Sequence, residues 1–272
     1  MIPKHILVAA VLLLAATPAT AQLRPLEPVS WTVFNSGVSV AAGAKVAGYR
    51  KQRASLAGTE GDLWEVPTVS VAWRNGRLAI LATGTGQRFF TEKERFAPTY
   101  FGVRPSTSGH RHDSGDYTIG TAVLLTPLRA PAEALVRFGT RLPTTDNETG
   151  LDRDAVDFFA TVAGRTTRGP LSVALEAGLG INSTRDSVFE QDDLLLYAAT
   201  IEYQRRMVTP SIVVVGQAHG PEHHELRGVE DLSEVRLGLR FGSRTWIRIE
   251  GVKGLETFSP SYGASVTVGA TR

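Results

Sequence analysis

Two-residue alternation of apolar and polar side chains recurs along this chain and, beyond residue 21, never gives way to an apolar run long enough for a membrane helix. "LSVALEAGLGIN" sets Leu171, Val173, Leu175, Ala177, Leu179 and Ile181 on one side of an extended strand. Ser172, Ala174, Glu176, Gly178, Gly180 and Asn182 lie on the other. "VRFGTRL" opposes Val136, Phe138, Thr140 and Leu142 to Arg137, Gly139 and Arg141, and "SEVRLGLRFG" opposes Val235, Leu237, Leu239 and Phe241 to Glu234, Arg236, Gly238 and Arg240. Such a sheet has one apolar and one wet face. Alternation alone does not say which is inside, because the core strands of a soluble periplasmic β-sandwich carry the same pattern.

The joints between these segments separate the two architectures. The spacing predicts strands over 37–51, 62–74, 77–90, 115–127, 133–143, 155–167, 170–183, 193–206, 210–219, 232–242, 245–254 and 261–271. Every second joint is tight and holds Gly or Pro: "RNGR", "LRAPAE", "TRGP", "RRMVTP" and "GSRT". The others are longer and polar: "QRASLAGTEG", "TEKERFAPTYFGVRPSTSGHRHDS", "TTDNETGLDRD", "STRDSVFEQDD" and "PEHHELRGVED", with a shorter last one at "GLETFSPS". Short turns at one rim and long loops at the other define an all-β fold, an antiparallel up-and-down transmembrane β-barrel. It has about twelve strands, short periplasmic turns and long extracellular loops. An even strand number returns both termini to the short-turn rim.

Aromatic residues sharpen that choice. Trp73, Tyr203, Phe241 and Trp246 fall beside short turns, and Phe90, Tyr117, Phe158 and Tyr262 beside long loops, as in two interfacial girdles. At the N-terminus, Lys4 and His5 precede an apolar run from Ile6 to Ala16, and Ala19-Thr20-Ala21 forms a small-x-small cleavage site. Residues 1–21 are therefore expected to be a cleaved export leader, 22–36 a periplasmic lead-in, and 37–272 a single barrel domain in the outer membrane. The chain has no cysteine, so it is stable without disulfides. Without Lys4, 28 basic residues face 27 acidic ones, and this balance gives nucleic-acid binding no electrostatic support.

"GTRLPTTDNETGLDRDAVDFFATVAG" resembles the strand, acidic loop and strand of a bacterial outer-membrane β-barrel family, the phenol meta-pathway (MetA-pathway) channel proteins. In that family a G-x-K/R-x-P-T stretch runs into an acidic loop and then D-F. The closing "GVKGLETFSPSYGASVTVGATR" is similar to the family's last hairpin. The likeness implies a channel or transporter for small aromatic or hydrophobic solutes, or a largely structural barrel. Its expected partners are outer-membrane lipid and the outer-membrane insertion machinery. The family pattern ends in an aromatic residue, whereas this chain ends Gly269-Ala270-Thr271-Arg272, which weakens the assembly signal.

Function then rests on the inward charges. Lys45, Arg74, Arg137, Arg141, Arg165, Arg236, Arg240 and Arg248 are expected to share the lumen with Glu176, Glu202 and Glu250, with Asp157 a further candidate. Segregated charges would line an anion-preferring channel, whereas cross-barrel pairs would close it.

Metal and catalytic sites are poorly supported. The acidic loop residues Asp146, Glu148, Asp152, Asp154 and Asp157 fit neither register of a calcium-binding EF-hand loop, and "HRH" at 110–112 with His219, His223 and His224 lacks a fixed ligand geometry. No G-x-S-x-G elbow occurs, and His219 has no evident partner in its neighbours Gln217 and Gly220. No metal, cofactor or catalytic residue is therefore expected, and a hydrolase with a loop-based site stands as the competing class.

Overall fold

The computed structural model describes residues 23–31, 38–115, 117–128, 130–142, 148–151, 153, 155–183, 191–219 and 227–272. The leader expected over 1–21 lies outside these residues, as do Asp146, Asp152, Asp154, His223 and His224. The described strands are β1 (Val38–Ala54), β2 (Thr59–Asn75), β3 (Leu78–Arg95), β4 (His110–Asp113), β5 (Tyr117–Leu124), β6 (Ala132–Leu142) and β7 (Asp157–Arg168). They continue with β8 (Leu171–Ser183), β9 (Gln191–Tyr203), β10 (Val208–His219), β11 (Leu232–Gly242), β12 (Thr245–Gly254) and β13 (Tyr262–Thr271). Each pairs antiparallel with its neighbour, and β13 pairs with β1 from Ala41↔Thr271 to Arg50↔Tyr262, which closes the sheet. Both β4 and β5 pair with β3, as two parts of one stave, so the closed barrel has twelve staves.

The wet face is inside. Leu175 and Leu237 are 63% and 61% exposed on the outer wall, while their neighbours Glu176 and Arg236 are buried within. A soluble sandwich requires the reverse, so the apolar face of this sheet is a lipid-facing belt. Its height follows from the outward tryptophans of β2. Trp64 and Trp73 lie nine residues apart, which at ~3.3 Å per residue and a tilt of about 40° is roughly 23 Å, close to the ~25 Å apolar band of such barrels.

The tight joints gather at one rim, where Gly76 and Gly169 supply the left-handed backbone (φ 62° and 59°) of two turns. At the other rim the structure corrects the expected loops. "QRASLAGTEG" is mostly strand: β1 and β2 continue to a tip at 55–58, and β3 continues to Arg95. The ladder persists there because its side chains are paired, Arg53 with Glu60 at 3.2 Å and Arg111 of β4 with Glu92 of β3. The tip curls over the mouth, and its Leu56 and Ala57 are buried. Leu56 accepts a hydrogen bond from Tyr100 N (2.8 Å), the Gly228 amide donates to Ser55 Oγ (3.1 Å), and Arg111 donates to Thr149 O (2.6 Å). The long loops thus interlock as a cap.

Two girdle assignments are also corrected. Phe158, Tyr203, Phe241 and Tyr262 face outward, but Phe90 and Trp246 face the interior. Adjacent residues on a strand take opposite faces, so Phe89 occupies the outer position and Phe90 packs inside with Tyr49 and Leu63.

Candidate functional site

The bore is occupied by the chain itself. Residues 23–31, "LRPLEPVSW", were read from sequence as a lead-in outside the barrel, yet they run along its interior. Leu23 packs with Tyr49, Leu63, Phe90 and Leu151 toward the long-loop rim. Leu26 sits against Phe159, Leu194 and Leu196. Val29 and Trp31 fill a space at the short-turn end lined by Ala72, Ala79, Ala122, Ala163 and Ala174. Alanine at those inward positions leaves the volume that one indole takes up. Arg165 lies over the Trp31 ring at 5.0 Å, and Arg24 over Tyr49 at 3.8 Å.

Polar residues alternate with these anchors and satisfy the wall. Glu27 accepts from Arg236 Nη1 at 2.6 Å and from Lys45 Nζ at 3.4 Å. Arg24 makes a two-pronged contact with Glu234, which also accepts from Arg236 Nε at 3.0 Å. The segment's backbone is held as well: the Val29 amide donates to Glu176 Oε2 (2.8 Å), and Arg137 Nη1 donates to Glu27 O (2.8 Å). Segment 23–31 and wall therefore form one hydrogen-bonded network.

Most of the expected lumen residues pair. Arg137 meets Glu176 at 3.2 Å, and Glu176 also accepts from Thr161 at 2.6 Å. Arg141 and Arg153 both bind Asp157, and Arg165 Nε donates to Glu133 at 2.9 Å. Arg248 reaches Glu250 at 3.3 Å and Ser211 at 3.2 Å. Arg240 stands opposite Arg248 in the β11–β12 register, two like charges side by side near the short-turn mouth. Glu202 lines a cavity of about 260 Å³ beside Glu27, Trp31, Trp246, Arg248 and Glu250.

The charges expected inward from sequence leave out the plug's own Arg24 and Glu27 and the wall residues Glu65, Arg88 and Glu133, and they do not count Glu234, although its alternation puts it on the face of Arg236; Arg88 meets Glu65 at 3.0 Å. With them, and with Asp157 counted inward, ten basic groups face eight acidic ones among these described residues, an excess of two where the sequence with Asp157 inward gives eight against four.

His219 does have a partner: its Nδ1 lies 2.8 Å from Asp231 Oδ1. An imidazole–carboxylate pair is part of a hydrolytic triad; here the His219 side chain is only 3% exposed. Among the described residues no three His, Cys, Asp or Glu side chains converge as metal ligands.

Fold and interior together define a transmembrane β-barrel whose lumen is filled from its own N-terminal side. An outer membrane channel from Pseudomonas putida F1 superposes on 91% of this chain and 100% of its own, at 11% identity and a TM-score of 0.62. Looser likenesses, both at a TM-score of 0.47, join it to the KdgM porin and to the translocator domain of the autotransporter NalP from Neisseria meningitidis. The porin is 9% identical over 86% of this chain and 98% of its own, and the translocator domain 15% identical over 87% and 88%. No protein-family model and no curated protein sequence matches the chain.

Proposed function

We propose that this protein is an outer-membrane channel for small solutes, closed in this state by its own residues 23–31. The observation that carries the reading is Glu27: one carboxylate in the middle of the bore is held by Lys45 of β1 and Arg236 of β11. The charged groups that hold Glu27 belong to the wall and stay in a wet bore when the segment leaves, beside the apolar seats of Leu23, Leu26 and Trp31. In this reading the leader is removed on export, the insertion machinery assembles the barrel, and the short turns face the periplasm.

The fold likeness to a Pseudomonas putida outer membrane channel supports conduction. The resemblance to the phenol meta-pathway family makes small aromatic or hydrophobic solutes the class to test. The cavity beside Trp31 and Trp246 is large enough for a single aromatic ring. A largely structural barrel is the second reading, favoured by the paired lumen charges. Swelling of liposomes that contain the chain lacking 22–31 tests both. Entry of small aromatic acids through that variant supports the channel. Exclusion of every solute by a correctly folded variant supports the structural barrel.

A further inference from the structure

The outer wall carries a row of cations that neither the bore nor the cap uses. At the long-loop edge of the apolar belt, Trp64 of β2 and Phe89 of β3 are cross-strand partners, both exposed. The Trp64 ring lies against Gly48 of β1, where an added Cβ would stand 3.1 Å from it, so the indole is laid flat on the wall. One step beyond this aromatic edge the ladder is irregular twice. Between Tyr49↔Leu63 and Gln52↔Gly61, Arg50 and Lys51 together oppose Asp62, and between Gly61↔Glu92 and Glu60↔Glu94, Lys93 is the extra residue.

A bulge turns consecutive side chains toward one face, and here it turns cations outward. Lys51 adopts φ 51° to achieve this, a left-handed conformation unusual for a long side chain. Arg50 and Lys93 both contact Asp62, yet remain 48% and 55% exposed, with further donors facing out. Lys253 of β12 is exposed on the far side of Tyr262, the residue paired with Arg50. Four cations thus face one carboxylate at this level, with exposed Glu94 one residue farther from the belt. Elsewhere on the same rim, β5 to β8 present Tyr117, Leu142, Phe158 and Ile181.

We propose that Arg50, Lys51, Lys93 and Lys253 form a binding site for the phosphorylated headgroup of an outer-leaflet glycolipid, whose acyl chains lie along Trp64 and Phe89. Position selects this occupant. The row stands roughly 5 Å above the belt edge, where headgroup phosphates lie, and a row of several cations there attracts an anionic surface. The extended β1–β3 wall rises behind it as a backing for sugars. The site rests on the outer-membrane reading above.

The test is titration of the full-length, detergent-solubilised protein with bisphosphorylated lipid A, dephosphorylated lipid A and inorganic phosphate, followed by native mass spectrometry. The variant is Lys51→Gln with Lys253→Gln, since neither lysine makes an ion pair among the described residues. Its unboiled gel mobility reports the barrel independently. The site requires that the phosphorylated lipid bind at least about tenfold more tightly than its dephosphorylated form, and that the double variant lose most of that difference. Asp62→Asn, which adds net positive charge, is expected to strengthen binding. Equal binding of the two lipids, an unaffected double variant, or full competition by millimolar inorganic phosphate would overturn the lipid site. A heat-shifting barrel that fails these binding tests would leave the outer-membrane reading standing.

Discussion

Glu27 and Arg236 stand 2.6 Å apart although 209 residues separate them in sequence, and this contact fixes the middle of the N-terminal segment to the barrel wall. Removing one member of a dry ion pair costs ~3–5 kcal/mol. Glu27 is 45% exposed to the space left in the bore, so solvent screening reduces the expected loss to roughly 1–2 kcal/mol. Glu27→Gln should therefore raise the open probability of single channels by about tenfold. An unchanged open probability would mean that the apolar anchors alone hold the segment.

The exposed faces give a folding prediction. Leu237→Arg places a charge on the lipid face at mid-belt and should cost roughly 2–4 kcal/mol in urea titrations of vesicle-inserted protein. Arg236→Leu should act differently, loosening the segment through Glu27 and Glu234 while the barrel still inserts. Neutrality of Leu237→Arg would invert the face assignment.

That assignment was legible in the sequence because a strand's period of two is a local property. Leu175 and Glu176, or Leu237 and Arg236, needed no knowledge of their partners. The alternating joint lengths were equally local and yielded the twelve staves. The plug was not legible. "LRPLEPVSW" has no period, two prolines and partners up to 210 residues away, so nothing local distinguishes it from a linker. The same limit hid the pairing of Glu234 with Arg24, although alternation puts Glu234 on the face of Arg236; Phe90 and Trp246 fell in girdles because closeness to a turn does not say which face a ring takes. Of the expected loop 52–61 only the tip at 55–58 is a turn, because pairing between β1 and β2 extends strand to Ala54 and from Thr59, well beyond the membrane belt.

Topology is testable with single cysteines, since the native chain has none. In intact cells an impermeant thiol reagent should label position 110, on exposed β4, and spare positions 75 and 169 at the tight turns. Labelling at 75 or 169 with protection at 110 would reverse the orientation.

The cap carries a pH dependence. The Glu230 carboxyl accepts from the Gly228 amide (2.8 Å), and burial pushes it above the usual carboxylate range despite hydrogen bonds from Ser55 and Gly228 and the charge of Arg153. The folded cap therefore holds this proton more tightly than the open form does. Its contribution is full below the ordinary carboxylate pKa and is lost as pH rises through the raised folded value. Amide exchange at 55–58 and 227–231, corrected for the intrinsic rate, should show protection falling as pH rises through that window. Glu230→Gln should abolish the dependence, and a pH-independent wild type would refute it.

Charge preference should be slight. Without the segment, nine basic wall groups face seven acidic ones, so reversal potentials in a salt gradient should show weak anion preference. Arg240→Glu, placed beside Arg248 at the mouth, should remove it. A strong preference of either sign in the truncated barrel would contradict the paired interior.

Single-channel conductance in planar bilayers, compared between the full chain and the chain lacking 22–31, tests self-closure most directly. The full chain should show long silent periods broken by brief, small openings, and the truncated barrel a steady and larger conductance. Equal conductance in both, with both barrels shown to be folded by their heat-dependent gel mobility, would contradict the proposal that residues 23–31 close the bore.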